Sequence, residues 1–105
     1  MRSFGIFGSS ITYKSIMDLY DLLENVNSKE SFFLFLEALM LDKLDEDKKE
    51  KLNPSNPYSD GHNGWVNNSI TDYLESIIAY GDDNSDIKLD WNSIALLFYM
   101  GKIYE

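Results

Sequence analysis

The sequence predicts an all-α fold: one domain of four helices, with a long loop rich in proline, glycine and asparagine between the second and the third. Three observations point that way. The chain has 105 residues, enough for one core. Its apolar residues, 44% of the total with 14% aromatic, recur at helical spacing in four stretches instead of alternating as in strands. Most of these stretches open on side chains suited to capping a helix. No internal repeat or low-complexity tract argues for anything larger.

Residues 1–10 (MRSFGIFGSS) read as either a loose or a short extended segment. The first helix is predicted over 12–25, with Ile16, Leu19, Tyr20 and Leu23 on one face and Lys14, Asp18 and Asp21 on the other. Ser10 and Thr12 are its candidate caps and Asn25 its candidate end. The second helix is predicted over 28–46. Asn27 and Ser28 are N-cap types, Glu30 puts a carboxylate in the first turn, and Phe32, Phe35, Leu36, Leu39, Met40 and Leu44 form a broad stripe. The run Phe32–Leu36 alone would suit a buried strand, but it continues through Glu37-Ala38-Leu39 without a turn signal. Phe33 falls outside the stripe, for another element to cover or a partner to use.

Asp42 to Lys51 (DKLDEDKKEK) reads as a solvated helix end. Asn53 to Gly64 (NPSNPYSDGHNG) reads as a loop of a length that is either mobile or functional. Trp65 is expected to pack on the core and anchor that loop. The third helix is predicted over 69–80, with Ser69 and Asp72 as a capping-box-like start and Gly81 as its stop. Ile70, Tyr73, Leu74 and Ile77 would be its buried face. The fourth is predicted over 90–104, capped by Asp90, with Trp91, Ile94, Ala95 and Phe98 on a stripe that Leu97, Gly101 and Tyr104 widen. Ile94–Met100 is apolar almost all round, so this helix is expected at the centre. The predicted core is Leu19, Leu23, Phe32, Leu36, Leu39, Leu74, Ile77, Trp91, Ile94 and Phe98.

Composition narrows the function. Acidic residues outnumber basic ones 18 to 9, for a formal charge of −9 and a pI near 4.4. Such a surface repels nucleic-acid backbones and anionic membranes, so neither is an expected partner. Without cysteine there is no disulfide, thiol nucleophile or cysteine-ligated zinc. The longest apolar run, Ile94–Met100, is seven residues, far short of the roughly 20 that span a bilayer. Met1–Ser10 contains no apolar run of signal-peptide length, and a cytoplasmic protein is the expectation.

Catalytic and metal chemistry find little footing. Counted as a calcium loop from Asp82, the connector offers Asn84, Asp86 and Asp90 at ligand positions. It has Ile87 where the sharp turn needs glycine and Ser93 where a bidentate glutamate belongs, so a polar connector ending in a helix cap is the better reading. Asp72 and Glu75, three apart, share a helical face with Ala79, and a solvated acidic face suits them better than an acid–base pair. His62 is the only histidine and lies in the loop. Neither a nucleophile elbow nor a phosphate-binding loop is present. No catalytic residue, metal ligand or cofactor is predicted.

Charge distribution is the most informative feature. Residues 58–105 carry eight acids and two bases, against ten and seven in residues 1–57. Asp72, Glu75, Asp82, Asp83, Asp86, Asp90 and Glu105 are the candidate partner-binding residues, a docking surface for a basic protein that steers its approach. Two alternatives stand beside this. One is a small hydrolase or metal-binding protein that uses these surface carboxylates. The other is a self-associating domain that pairs through Phe33 and the apolar flank of the last helix, making a homo-oligomer.

Three stretches carry a family resemblance. They are Val26-Asn27-Ser28-Lys29-Glu30-Ser31-Phe32 with Phe35-Leu36 after it, Trp65-Val66-Asn67-Asn68-Ser69-Ile70 leading into Asp72-Tyr73-Leu74-Glu75, and Lys102-Ile103-Tyr104-Glu105. From Val26 onward, about three-quarters of its length, the chain resembles an uncharacterised family of small bacterial proteins. In that family a W-E-N-x-[ST]-L motif opens a helix, a tryptophan element opens the last helix, and the chain closes on K-I-Y-E. Trp91 and Ile94-Ala95 suit the last-helix pattern. Val66 stands where glutamate is usual, and Tyr80 where tryptophan is frequent. The resemblance implies no catalytic chemistry. In size, acidity and lack of cysteine the chain is also similar to bacterial immunity proteins that neutralise basic nuclease toxins, including those of contact-dependent inhibition systems. That similarity implies a non-enzymatic, cofactor-free protein whose acidic residues bind a toxin domain. Such proteins occur on many folds, so the implication is one of surface and not of topology.

Overall fold

The computed structural model describes residues 18–105. Among these there are four helices and no strand: α1 Leu19–Glu24, α2 Lys29–Leu52, α3 Ile70–Asp83 and α4 Trp91–Ile103. Over the described residues the chain is a four-helix all-α domain, as its periodicity predicts. The segment 1–10 and the candidate caps Ser10 and Thr12 lie outside the described residues.

Every helix begins on a side-chain oxygen that takes an otherwise orphaned amide. Asp18 Oδ1 accepts from the Asp21 N–H at 2.9 Å, Ser28 Oγ from Ser31 at 3.2 Å, Ser69 Oγ from Asp72 at 3.0 Å and Asp90 Oδ1 from Ser93 at 2.8 Å. Asp18 is itself extended, with ψ 174°. The helix that ends at Glu24 therefore starts at Leu19, and the predicted stretch 12–17, with Lys14 and Ile16, lies outside the described residues. α3 runs through Gly81, its predicted stop, and ends at Asn84, whose amide closes on the Tyr80 carbonyl at 2.9 Å.

α2 extends six residues beyond its predicted end at 46. Its inward residues explain why. Phe32, Phe35, Leu39, Asp42 and Glu46 are all buried, a three-four spacing that holds one seam inward along the whole helix. The seam is apolar as far as Leu39 and acidic beyond it. Met40 and Leu44, expected on the seam, lie beside it and are exposed.

α4 is central and packs against α1, α2 and α3, whereas α3 leans mainly on α4. The buried core is Leu19, Leu22, Leu23, Val26, Phe32, Phe35, Ala38, Leu39, Trp65 and Ala95. Phe32 links its parts, its ring centre 5.4 Å from Trp91 and 5.9 Å from Phe98. Three predicted core members sit elsewhere: Leu74 and Trp91 are exposed and Ile77 is only partly buried. The buried face of α3 is turned by roughly 75° from the predicted one, onto Tyr73, Ser76 and Tyr80. Polar contacts cause the turn. The Tyr73 hydroxyl donates to the Phe98 carbonyl at 2.8 Å, and the Ser76 hydroxyl lies 2.7 Å from the Met100 carbonyl and 2.8 Å from that of Tyr104. The Tyr80 and Tyr104 rings meet edge to face, centres 5.2 Å apart.

Candidate functional site

The second half of α2 is only partly the solvated helix end that its composition suggests: Asp45 and Asp47 are exposed, but Asp42 and Glu46 are buried and Glu50 is half-buried. Glu46 Oε1 accepts the backbone N–H groups of Asn63 at 2.9 Å and Trp65 at 3.2 Å. Glu50 takes the Ser55 N–H at 2.8 Å, the Ser55 hydroxyl at 2.5 Å and the His62 N–H at 3.0 Å. The Ser55 bonds hold the Glu50 carboxyl below the usual carboxylate range. At i and i+4 on one helix face, these two acids satisfy loop amides that have no sheet or helix partner. The close approach has a requirement at Gly61, where a Cβ would stand 2.3 Å from Glu46 Oε1. The long loop is thus tied along α2.

Trp65 anchors the loop as predicted, buried in the core. Its indole N–H donates to Asp42 Oδ2 at 2.8 Å, and the Lys102 ammonium meets the same oxygen at 2.7 Å. Lys102 and Asp42 are both buried, and the ammonium also sits 5.5 Å from the Trp65 ring centre. The Trp65 ring stacks on Tyr73 with centres 6.2 Å apart. Next to it, Asn67 closes the end of α4: its side-chain amide donates to the carbonyls of Gly101 at 3.1 Å and Tyr104 at 3.0 Å. The Val66 and Asn67 backbone N–H groups reach the Lys102 carbonyl. Trp65, Asn67, Ser69, Lys102 and Tyr104, the motif residues, all hold elements together here.

The seven predicted partner-binding residues are all exposed. Asp72, Glu75, Asp82 and Asp83 occupy one broad arc of α3 outside its buried face. Asp86 lies in the connector and Asp90 caps α4, where bonds to Ser93 hold its carboxyl below the usual range. Glu105 comes to the end of α3 because Tyr104 does: the Tyr104 hydroxyl donates to Asp83 Oδ2, and that bond, with burial, raises the phenol above its ordinary value. Within residues 58–105 all eight acids are exposed, while Lys102 is buried against Asp42. Lys88 is therefore the one exposed base of that half.

These carboxylates do not converge on one hollow: Asp86 borders one beside Tyr80 and Leu96, and Asp90 another beside Trp91 and Ile94. Among the described residues no three of His, Cys, Asp and Glu are placed to hold a metal. In the connector, Asp82 and Asp83 are still helical and Asp90 Oδ1 is taken by the Ser93 amide. His62 is exposed, its Nε2 2.6 Å from the Asn53 carbonyl and 3.7 Å from Glu50. The arrangement is suited to binding a cationic surface.

One feature has no counterpart in the prediction. Ile70, Leu74 and Ile78 on α3 are 71%, 51% and 62% exposed, and Met40 and Leu44 on α2 are 44% and 56% exposed. Ile70, Met40 and Leu44 border a groove of about 390 Å³ floored by Leu36, Leu39, Trp65, Tyr73 and Phe98. Ile70 and Leu74 were expected on the buried face of α3, and the structure leaves both outside. No protein-family model, curated protein or solved structure matches the chain, and no helix among the described residues is long and apolar enough to cross a membrane.

Proposed function

We propose that the protein is a non-enzymatic binding module, an immunity protein that neutralises a basic, nuclease-type bacterial toxin in the cytoplasm by covering its active site or substrate groove. Charge carries the reading: eight exposed acids face one exposed base across residues 58–105. A nuclease must present cations to hold a phosphate backbone. A rigid polyanionic face competes for those same cations and speeds encounter. Capped helices and the tied-down loop support this, since little ordering would be needed on binding. We also place the chain with the bacterial family that its W-x-N-x-S and K-I-Y-E motifs resemble. The test takes the product of the adjacent gene and measures binding by calorimetry and nuclease activity in parallel. The expected result is a stoichiometric complex, loss of activity and an affinity that falls as salt rises. Neither binding nor inhibition would end the reading.

Self-association is the second reading. It is favoured by Phe33, 51% exposed, whose ring lies 5.4 Å from that of Phe32, and by the exposed Trp91, whose ring also lies 5.4 Å from Phe32. Sedimentation equilibrium up to millimolar protein decides it, a monomer throughout being the contrary result.

A further inference from the structure

We infer that the exposed apolar ridge of α3, with the groove beside it, receives an amphipathic helical segment of the basic partner. This rests on the reading above and adds where and how that partner docks. Ile70, Leu74 and Ile78 form one ridge along the outside of α3. Met40 and Leu44 stand across the groove on α2. Several large aliphatic side chains gathered in one exposed region of a soluble chain mark a contact surface, whereas scattered single ones do not. The spacing suits a helix laid into a groove, with its own apolar side against the ridge.

The surrounding charge selects the occupant. At 100° per residue, Glu75 and Asp82 border the ridge next to Ile78, and both are exposed. Lys43, the cation of the groove, is already held by Asp47 at 2.5 Å and Asn68 at 3.1 Å. A second copy of this chain would bring these acids against their own kind between molecules of formal charge −9. A lysine- or arginine-bearing helix meets them favourably while its apolar side fills the groove.

The test uses the full chain and a designed peptide about five helical turns long, with leucine at i, i+3, i+4 and i+7 and lysine elsewhere. A scrambled peptide of equal composition serves as control. The ordered peptide binds, and the scrambled one binds about tenfold more weakly or worse, a difference of ~1.4 kcal/mol. Leu74→Asp and Ile78→Asp each weaken the ordered peptide by about tenfold, the scale of a lost apolar anchor, without lowering the melting temperature. Glu75→Gln with Asp82→Asn weakens it too and flattens its salt dependence. Equal binding of both peptides would overturn the inference, as would binding that ignores Leu74→Asp. So would a lowered melting temperature in Leu74→Asp, which would show the ridge covered by the chain itself, or a wild-type dimer that Leu74→Asp separates. The peptide contains no toxin sequence. Its failure leaves the inhibition test standing, and failure of that test leaves the peptide result intact.

Discussion

Asp42 Oδ2 receives two donors, the Trp65 indole at 2.8 Å and the Lys102 ammonium at 2.7 Å. Removing the ammonium leaves a desolvated carboxylate, and breaking a buried pair in that way costs about 3–5 kcal/mol. Lys102→Met is expected to lose stability on that scale in urea unfolding, and the double variant with Asp42→Asn to lose less than the two single losses together. Nothing in the local sequence marks Lys102 as inward, because its partner is 60 positions away. Trp65 was easier to read, since a large aromatic beside a loop has few other places to go. Tyr73 offers a test by pH. Burial pushes its phenol up to about 12 from 10.0, so the unfolded chain gives up that proton first. The stabilisation is complete below pH 10 and is lost as pH rises towards 12. Alkaline denaturation is expected in that window, with a shallower slope in Tyr73→Phe.

Helix starts were legible because a cap is a local signal: Ser28, Ser69 and Asp90 each reach an amide three residues on, and each was named from sequence. The ends of α1 at Asn25 and of α4 at Tyr104 were read correctly, whereas those of α2 and α3 were not. The end of α2 depends on loop amides at Ser55, His62, Asn63 and Trp65, which meet Glu46 and Glu50 only in the folded chain. A seam that changes from phenylalanine to carboxylate halfway along has no hydrophobic signature past its midpoint. The face of α3 was misjudged for a related reason: Ser76 packs inward through its hydroxyl, while Leu74 and Ile78 are left outside. The end of α4 is closed in the same distant fashion by Asn67. Asn67→Ala removes donors to two carbonyls, and a loss of about 1–3 kcal/mol is expected in thermal or urea unfolding.

On the scale of the whole molecule, fold class and charge balance were both open to inspection in the sequence. The structure sharpens the second by burying Lys102 and leaving the eight acids of residues 58–105 outside. Two acids on α2 went the other way: Asp42 and Glu46 are buried, build the fold and add nothing to an approaching partner's contacts. Division of labour among carboxylates is the central feature, those of the α2 seam holding the chain together and those of α3, the connector and Glu105 facing outward. The most direct measurement is the affinity for the adjacent gene's product across a salt series, for wild type and for Glu75→Gln, Asp82→Asn, Asp86→Asn combined. The expected result is a steep fall with salt in the wild type, and in the variant about tenfold weaker binding or more, with a flatter salt dependence. An affinity indifferent to salt and to the loss of those three charges would contradict the account.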